Sequence, residues 1–224
     1  MKLSLLSVAV IAVLLPLGHS GAVTQQQPCA TSLADCPKEG CGAGDPELNK
    51  QKNRTEAPET VTVMTLSRIR AFSEPGSWPR GKERSSLAFR ENKAVIIKAF
   101  LRDARVSGRE TTNCRLSGEQ NNDFHLDLIS SINAPKATAV TAEIAPRLRR
   151  AGWDFDKLNF LGEEKYYVRV SGWLMLDTAH IGHPIVRSTN WEVHPVTMFE
   201  VCTKTKPKCD QGQGWVLLED FEIP

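Results

Sequence analysis

A marked net charge is missing from this chain. Its 224 residues carry 28 Lys and Arg against 26 Asp and Glu, and that balance excludes the bulk basicity on which a dedicated nucleic-acid binder relies. Aromatic residues are scarce too, at 7% with two tyrosines, so a platform of rings for stacking single strands is thinly supplied. The chain has no Gly-x-Ser-x-Gly elbow, no Gly-rich phosphate loop and no Cys-x-x-Cys pair. Those absences remove the plainest signatures of a serine hydrolase, a nucleotide-phosphate binder and a zinc knuckle. No catalytic residue and no cofactor is assigned from the sequence. Only one apolar run is long, Leu3 to Leu17, and nothing after it is apolar enough to cross a bilayer.

That run follows Lys2, contains Pro16, and is followed by Ser20-Gly21-Ala22. The pattern predicts a secretory leader over residues 1–22 and an exported protein, periplasmic or extracellular. Cysteine usage agrees with export. Cys29, Cys36, Cys41, Cys114, Cys202 and Cys209 all lie beyond the leader, an even number suited to disulfides in an oxidising compartment. Cys202 and Cys209 flank a Lys-Pro-Lys turn and form the expected local loop. Cys29, Cys36 and Cys41 cannot all pair with one another, which leaves one of them to reach Cys114. Residues 23–59 then read as an irregular arm pinned by disulfides, because Gly, Pro, Asn and charge dominate and periodic apolar content is nearly absent. Asn53-Arg54-Thr55 inside it is a formal glycosylation sequon. Residues 60–224 read as one domain with a tail.

Regular patterns begin in that domain. Thr60 to Leu66 predicts a short strand, and Arg68 to Arg90, with its prolines and glycines, a long irregular connection in which Trp78 plugs the surface. Ala94 to Leu101 is a β-branched, apolar strand. Phe124 to Ile129 alternates, with Phe124, Leu126 and Leu128 on one face, and Thr138 to Ile144 alternates likewise. Asp154 caps a short helix carrying Phe155, Leu158 and Leu161 and ended by Gly162. Tyr167 to Leu176 returns to period two across Gly172, and Trp191 to Val201 is the last long strand. Three strands, a helix and two strands is the order of a five-stranded Greek-key barrel of the oligonucleotide/oligosaccharide-binding (OB) kind, mainly β, with a β-sandwich as the alternative. Gly172 and Pro195 fit the bends and bulges of such a barrel.

Several spaced motifs are distinctive: Asn113-Cys114, Asp123-Phe124-His125-Leu126, Ala142-Glu143-Ile144, Val170 to Asp177 (VSGWLMLD) and Trp191 to Val196 (WEVHPV). Ahead of them stand Asp35-Cys36-Pro37, Gly40-Cys41-Gly42, Leu48-Asn49-Lys50 and Lys52-Asn53. Together these resemble a group of exported bacterial proteins of unknown function with an OB-like β-barrel. The resemblance implies an exported bacterial β-domain and supplies no activity.

On a barrel of this kind the ligand face comprises strands two and three with the loops joining strands one to two and four to five. The first loop, read as Arg102 to Asn122, brings Arg102, Arg105, Arg109 and Arg115, and the second brings His180, His183 and Arg187. His125 and Asp127 point away from the apolar face of their strand, as does Glu143 on its neighbour. The candidate ligand-binding set is therefore Arg102, Arg105, Arg109, His125, Asp127, Glu143 and Arg187, to be weighed against a solvated rim. His180, His183 and His194 are weak candidates for metal ligands, since Gly182 and Pro184 make the His-x-x-His segment a loop rather than a helix. Val63 to Arg115 holds 12 Lys and Arg against 5 Asp and Glu, whereas Leu116 to Pro224 holds 11 against 15. The basic stretch favours an anionic partner, a glycan or an acidic envelope protein ahead of nucleic acid, or else faces the acidic half internally. The expected function is a non-enzymatic binding domain. The alternative is a metal-dependent, phosphodiesterase-like hydrolase using His125, Glu143 and His194 with the loop histidines His180 and His183.

Overall fold

A computed structural model describes residues 28–183 and 187–224. The expected leader lies outside the described residues, as do residues 184–186. In chain order the described residues form α1 (Pro46–Lys52), β1 (Val61–Val63), α2 (Leu66–Arg70), α3 (Ala88–Glu91), β2 (Ala94–Val106), β3 (Phe124–Ile129), β4 (Val140–Ile144), α4 (Phe155–Glu163), β5 (Tyr167–Leu176), β6 (Trp191–Cys202), α5 (Lys206–Asp210) and β7 (Trp215–Leu217). No helix among them is long and apolar enough to cross a membrane.

Five strands close into a barrel in the order β2-β3-β4-β6-β5, with β5 returning to β2. All its pairings are antiparallel except β4 with β6, which meet in parallel at Ala142 and Val193. This is the expected five-stranded barrel, and its closure sets the sandwich aside. β1 adds to β2, and β7 to β6. Closure depends on the length of β2: Ala94 to Phe100 pair with β5, and Phe100 to Val106 with β3. The apolar run stops at Leu101, but the strand continues through Arg102-Asp103-Ala104-Arg105-Val106. Arg102 and Arg105, expected in a loop, are thus strand residues. Their side chains lie on a half-covered surface, where backbone pairing with β3 holds the strand without apolar burial.

Alternation supplies the core. Phe124, Leu126 and Leu128 of β3 point inward with Val140, Ala142 and Ile144 of β4, each 0% exposed. α4 closes one end with Leu158 and Leu161, also 0% exposed, each stabilising by about 1.5–3 kcal/mol on burial. Asp154 Oδ1 accepts from Lys157 N at 2.9 Å as the helix cap. Gly162 does not end α4 but lies inside it, because a Cβ there would stand only 3.3 Å from Asp103 Cα. The missing side chain lets the helix lie directly on β2. At Gly172 the β5–β6 register shifts, and a Cβ would run into Pro195 O and Val193.

The connection from Arg68 to Arg90 is more structured than its prolines and glycines predict. It includes most of α2 and the start of α3, and Glu74 accepts from Thr189 Oγ1, Asn190 N and Asn190 Nδ2 at the entry to β6. Arg84 and Glu91 form a buried pair that also bonds both backbone groups of the end of β5: Arg84 donates to Leu176 O and Glu91 accepts from Leu176 N. Trp78 packs half-buried against the core.

Three disulfides form: Cys29–Cys41, Cys36–Cys114 and Cys202–Cys209. The last is the expected local loop, and Cys36 is the arm cysteine that reaches Cys114. Within the arm, α1 starts at Asp45, whose side chain accepts from Glu47 N and Leu48 N. Gly40 has φ +65°, and a Cβ there would strike Thr111 O, so the arm lies against the β2–β3 loop only with glycine at this point. Arg147 clamps the arm from the other side, donating to Asn53 Oδ1 and Cys36 O. Asn53 is 0% exposed and donates to Lys38 O and Thr112 O, which removes the sequon from the folded surface.

Candidate functional site

Strand alternation that sends apolar side chains into the barrel sends a polar set outward from the same strands. On β3 these are His125 and Asp127, on β4 Thr141 and Glu143, and on β6 Glu192 and His194. Cross-strand register puts His125 beside Glu143, while the parallel pairing at Ala142 and Val193 brings Glu192 and His194 alongside. Solvent does not reach most of this face. Asp127 is 2% exposed and Glu143, Glu192 and His194 are each 0%: Lys52 of α1 lies against Glu143, Arg187 against Glu192, and Lys136 against Asp127.

The cover brings its own charges. Lys52, at the end of α1 and four residues after the buried Leu48, places its ammonium 3.2 Å from Glu110 and 3.9 Å from Glu143. His125 sits between Glu143 (3.3 Å) and Glu110 (3.4 Å). His194 Nδ1 lies 2.9 Å from Glu143 Oε2 and 3.3 Å from Glu192 Oε1, and its Nε2 lies 3.8 Å from Asp123 Oδ2. Arg187 pairs with Glu192 at 2.8 Å and with Asp177 at 3.2 Å.

Burial and mutual charge contend at every position. Burial pushes the Asp123 carboxyl up and Glu110 adds to it, giving about 6 against the opposing pull of His194. Burial would raise Glu110 as well, but Lys52 and His125 overcome it and hold that carboxyl at about 2. For His194, burial disfavours the charged ring, yet Glu143, Glu192 and Asp123 outweigh it and lift the imidazole to about 10. Glu143 is held well below the carboxylate range despite burial, by His125, Lys52 and His194, while burial and Glu143 raise Glu192. Each shift has the same physical origin: water is excluded, so every group is set by its nearest charges.

Above this face opens a cleft of about 540 Å³ between α1 and the turn following β5. Lys52, Glu110, His125 and Asp177 reach it from within, Trp78 walls it, and Arg80, His180 and His183 stand at its rim. Arg80 is fixed there by donating to Gly44 O and Gly42 O. No Ser or Cys lines it among the described residues.

The expected ligand set is therefore divided. His125 reaches the cleft. Glu143 and Arg187 belong to the buried network instead, and neither lines the opening. Asp127 is buried against Lys136 (2.9 Å) and Arg105 (3.5 Å), Arg102 donates to Ala134 O, and Arg109 is exposed away from the cleft. The seven do not line one groove: the arm reaches the face at Glu143 through Lys52, whereas Arg102, Arg105 and Asp127 gather around Ala134 and Lys136. His180 and His183 share the rim without joining a set of metal-ligating groups, and His180 Nε2 lies 3.4 Å from Asp177. His194 does join one, with Asp123 and Glu143. Sequence reasoning missed Lys52, Glu110 and Asp177. For Lys52 a signal existed, since it falls on the helical face that carries Leu48.

No family model and no curated protein sequence matches the chain. Among solved structures, the barrel is similar to a putative aspartyl-tRNA synthetase from Leishmania major Friedlin at 15% identity and a TM-score of 0.35, over 68% of this chain and 23% of that one. This chain thus spans about a quarter of that protein, and a likeness so distant carries no argument about the site.

Proposed function

We propose that the protein is an exported, non-enzymatic binding domain that takes the end of an acidic glycan in the cleft between α1 and the turn after β5. One observation carries the reading: an open cleft whose wall is an indole and whose rim is Arg80, His180 and His183, with no serine or cysteine among the described residues that line it. Lys82 Nζ stands 4.2 Å from the centroid of that indole, and ammonium, guanidinium and imidazole groups so placed suit the carboxylates or sulfates of an acidic sugar. The arm supports a short ligand over a long one, since at Glu143 it meets the strand face along which this kind of barrel would lay a polymer. Three disulfides fit an oxidising, exported setting.

The test is calorimetric titration of the mature protein with an oligogalacturonate tetramer at low and at physiological salt. Binding should weaken about tenfold across that range, as screening of charge contacts requires, and Trp78→Ala and the His180→Ala/His183→Ala pair should each weaken it further. No binding at low salt, or binding indifferent to all three substitutions, would refute the reading. A second reading rests on His125, held at the floor of the cleft with a carboxylate against each ring nitrogen, which favours the charged imidazole and is the arrangement of a general acid for a hydrolase. Turnover of a bis-nitrophenyl phosphodiester that is lost in His125→Gln would favour that reading instead.

A further inference from the structure

Below the floor of the cleft, behind His125 and Lys52, lies a group of atoms that the binding reading does not use. We propose that Asp123, Glu143 and His194 hold one divalent first-row metal ion, Zn²⁺ or Mn²⁺.

One ligand atom from each of the three residues lies within 4.8 Å of the other two, and all three side chains are at most 1% exposed. Donors about 2.0–2.2 Å from one ion stand roughly 3–4 Å apart, and Asp123 Oδ2 and His194 Nε2 are separated by 3.8 Å. The same atoms have charged neighbours but no aligned hydrogen bond. Asp123 Oδ2, His194 Nε2 and both Glu143 carboxylate oxygens are buried without a hydrogen bond. Such orphaned groups are costly in a folded interior unless something satisfies them. Although Glu143 Oε2 lies 2.9 Å from His194 Nδ1, the two are not aligned as acceptor and donor, which leaves that oxygen unsatisfied.

The surroundings orient these ligands. Asn113 Nδ2 donates to Asp123 Oδ1 at 3.1 Å, which leaves Oδ2 as the free oxygen. Glu192 Oε1 lies 3.3 Å from His194 Nδ1, so a proton on Nδ1 is held there, and Nε2, which faces Asp123, offers its lone pair to an ion that displaces its proton. A carboxylate behind the imidazole of a metal ligand is the usual way in which ring orientation and basicity are set. Charge leaves room for an ion: Glu110, Asp123, Glu143, Asp177 and Glu192 stand against Lys52, Arg187, His125 and His194, and a divalent ion in place of the His194 proton adds one positive charge to the side in deficit. One imidazole with two carboxylates suits Zn²⁺ or Mn²⁺ better than the all-oxygen preference of Ca²⁺. The other group with ligand spacing, Cys29, Cys41 and Cys114, is spent on disulfides.

The full mature protein, stripped with chelator, should be titrated with ZnCl₂ and with MnCl₂ alone. One of the two ions should bind at one per chain and raise Tm by roughly 5–10 °C at saturation. Asp123→Asn keeps the Asn113 contact and the side-chain shape, and should weaken binding at least a hundredfold; Glu143→Gln should do the same. If either variant fails to fold, Co²⁺ added to the native protein decides, since a visible d–d absorption band at one equivalent is expected from this ligand set. Failure of both ions to bind stoichiometrically, or binding unchanged in both folded variants, would overturn the proposal. Oligogalacturonate titration of the chelated protein separates this result from the fate of the cleft reading.

Discussion

Replacing Lys52 by Met keeps the length and the apolar stem and removes only the charge. The side chain of Lys52 is 7% exposed, that of Glu143 1% and that of Glu110 24%. At an effective dielectric of about 20, a unit charge pair at 3.2 Å is worth roughly 5 kcal/mol and one at 3.9 Å roughly 4 kcal/mol. Desolvation of the ammonium opposes both terms, and the measured cost of stranding a buried partner is about 3–5 kcal/mol. Glu110 is partly hydrated and can relax toward water, which places the expected loss at the lower end, about 3 kcal/mol. For a domain of about 200 residues that corresponds to a fall in Tm of roughly 6–12 °C. Urea unfolding in the presence of chelator reads the charge pair without any ion. Adding Glu110→Gln should return part of the loss, about 1–2 kcal/mol in a double-mutant cycle, while Glu143 stays stranded. A Lys52→Met cost below about 1 kcal/mol, with no coupling to Glu110, would refute the view that the arm stabilises the polar face by charge.

Three further outcomes are expected. Arg84→Met should cost about 3–4 kcal/mol by urea unfolding, because it strands the 1% exposed Glu91 at the end of β5; an effect within 1 kcal/mol would refute it. Gly172→Ala should destabilise by more than about 2 kcal/mol, since the new methyl meets Pro195 O and the Val196 backbone, and a neutral result would show that the β5–β6 bulge yields easily. Replacing both cysteines of Cys36–Cys114, which are 78 residues apart, should cost about 4–5 kcal/mol in the chain-entropy picture, against about 2–3 kcal/mol for Cys202–Cys209, which are 7 apart. Equal losses in the two serine double variants would contradict that ordering.

β3 and β5 have the bounds that the sequence predicts because each alternates cleanly between an apolar and a polar face. β2 does not end where its apolar run ends, since Arg102 to Val106 are held by pairing with β3, a long-range contact that leaves no local trace. Gly162 reads as a helix stop by chemistry, but the space against Asp103 decides its use. The polar face illustrates the deeper limit. Alternation identifies His125 and Glu143 as residues opposite the core, yet it cannot tell whether that second face meets water or another segment. The covering segment is poor in apolar residues, so hydrophobic pattern does not reveal it. Lys52 and Glu110, which make the network, come from stretches read as arm and loop, and their partners are fixed only by the fold. Cysteine counting went further, because three cysteines close together leave one over.

Chain order gives the Cys36–Cys114 bridge a consequence for biogenesis. The arm is synthesised before the strands it covers, and Cys114 follows Cys36 by 78 residues. Until Cys114 arrives, Cys36 meets only Cys29 and Cys41, and either pairing would consume a thiol that the native set requires. If the native Cys29–Cys41 bridge closes first, Cys36 is left over for Cys114; if Cys36 pairs early, the correct bridges require thiol–disulfide exchange after β2 has been made. The short native bridge within the arm thus protects the thiol that the long one needs.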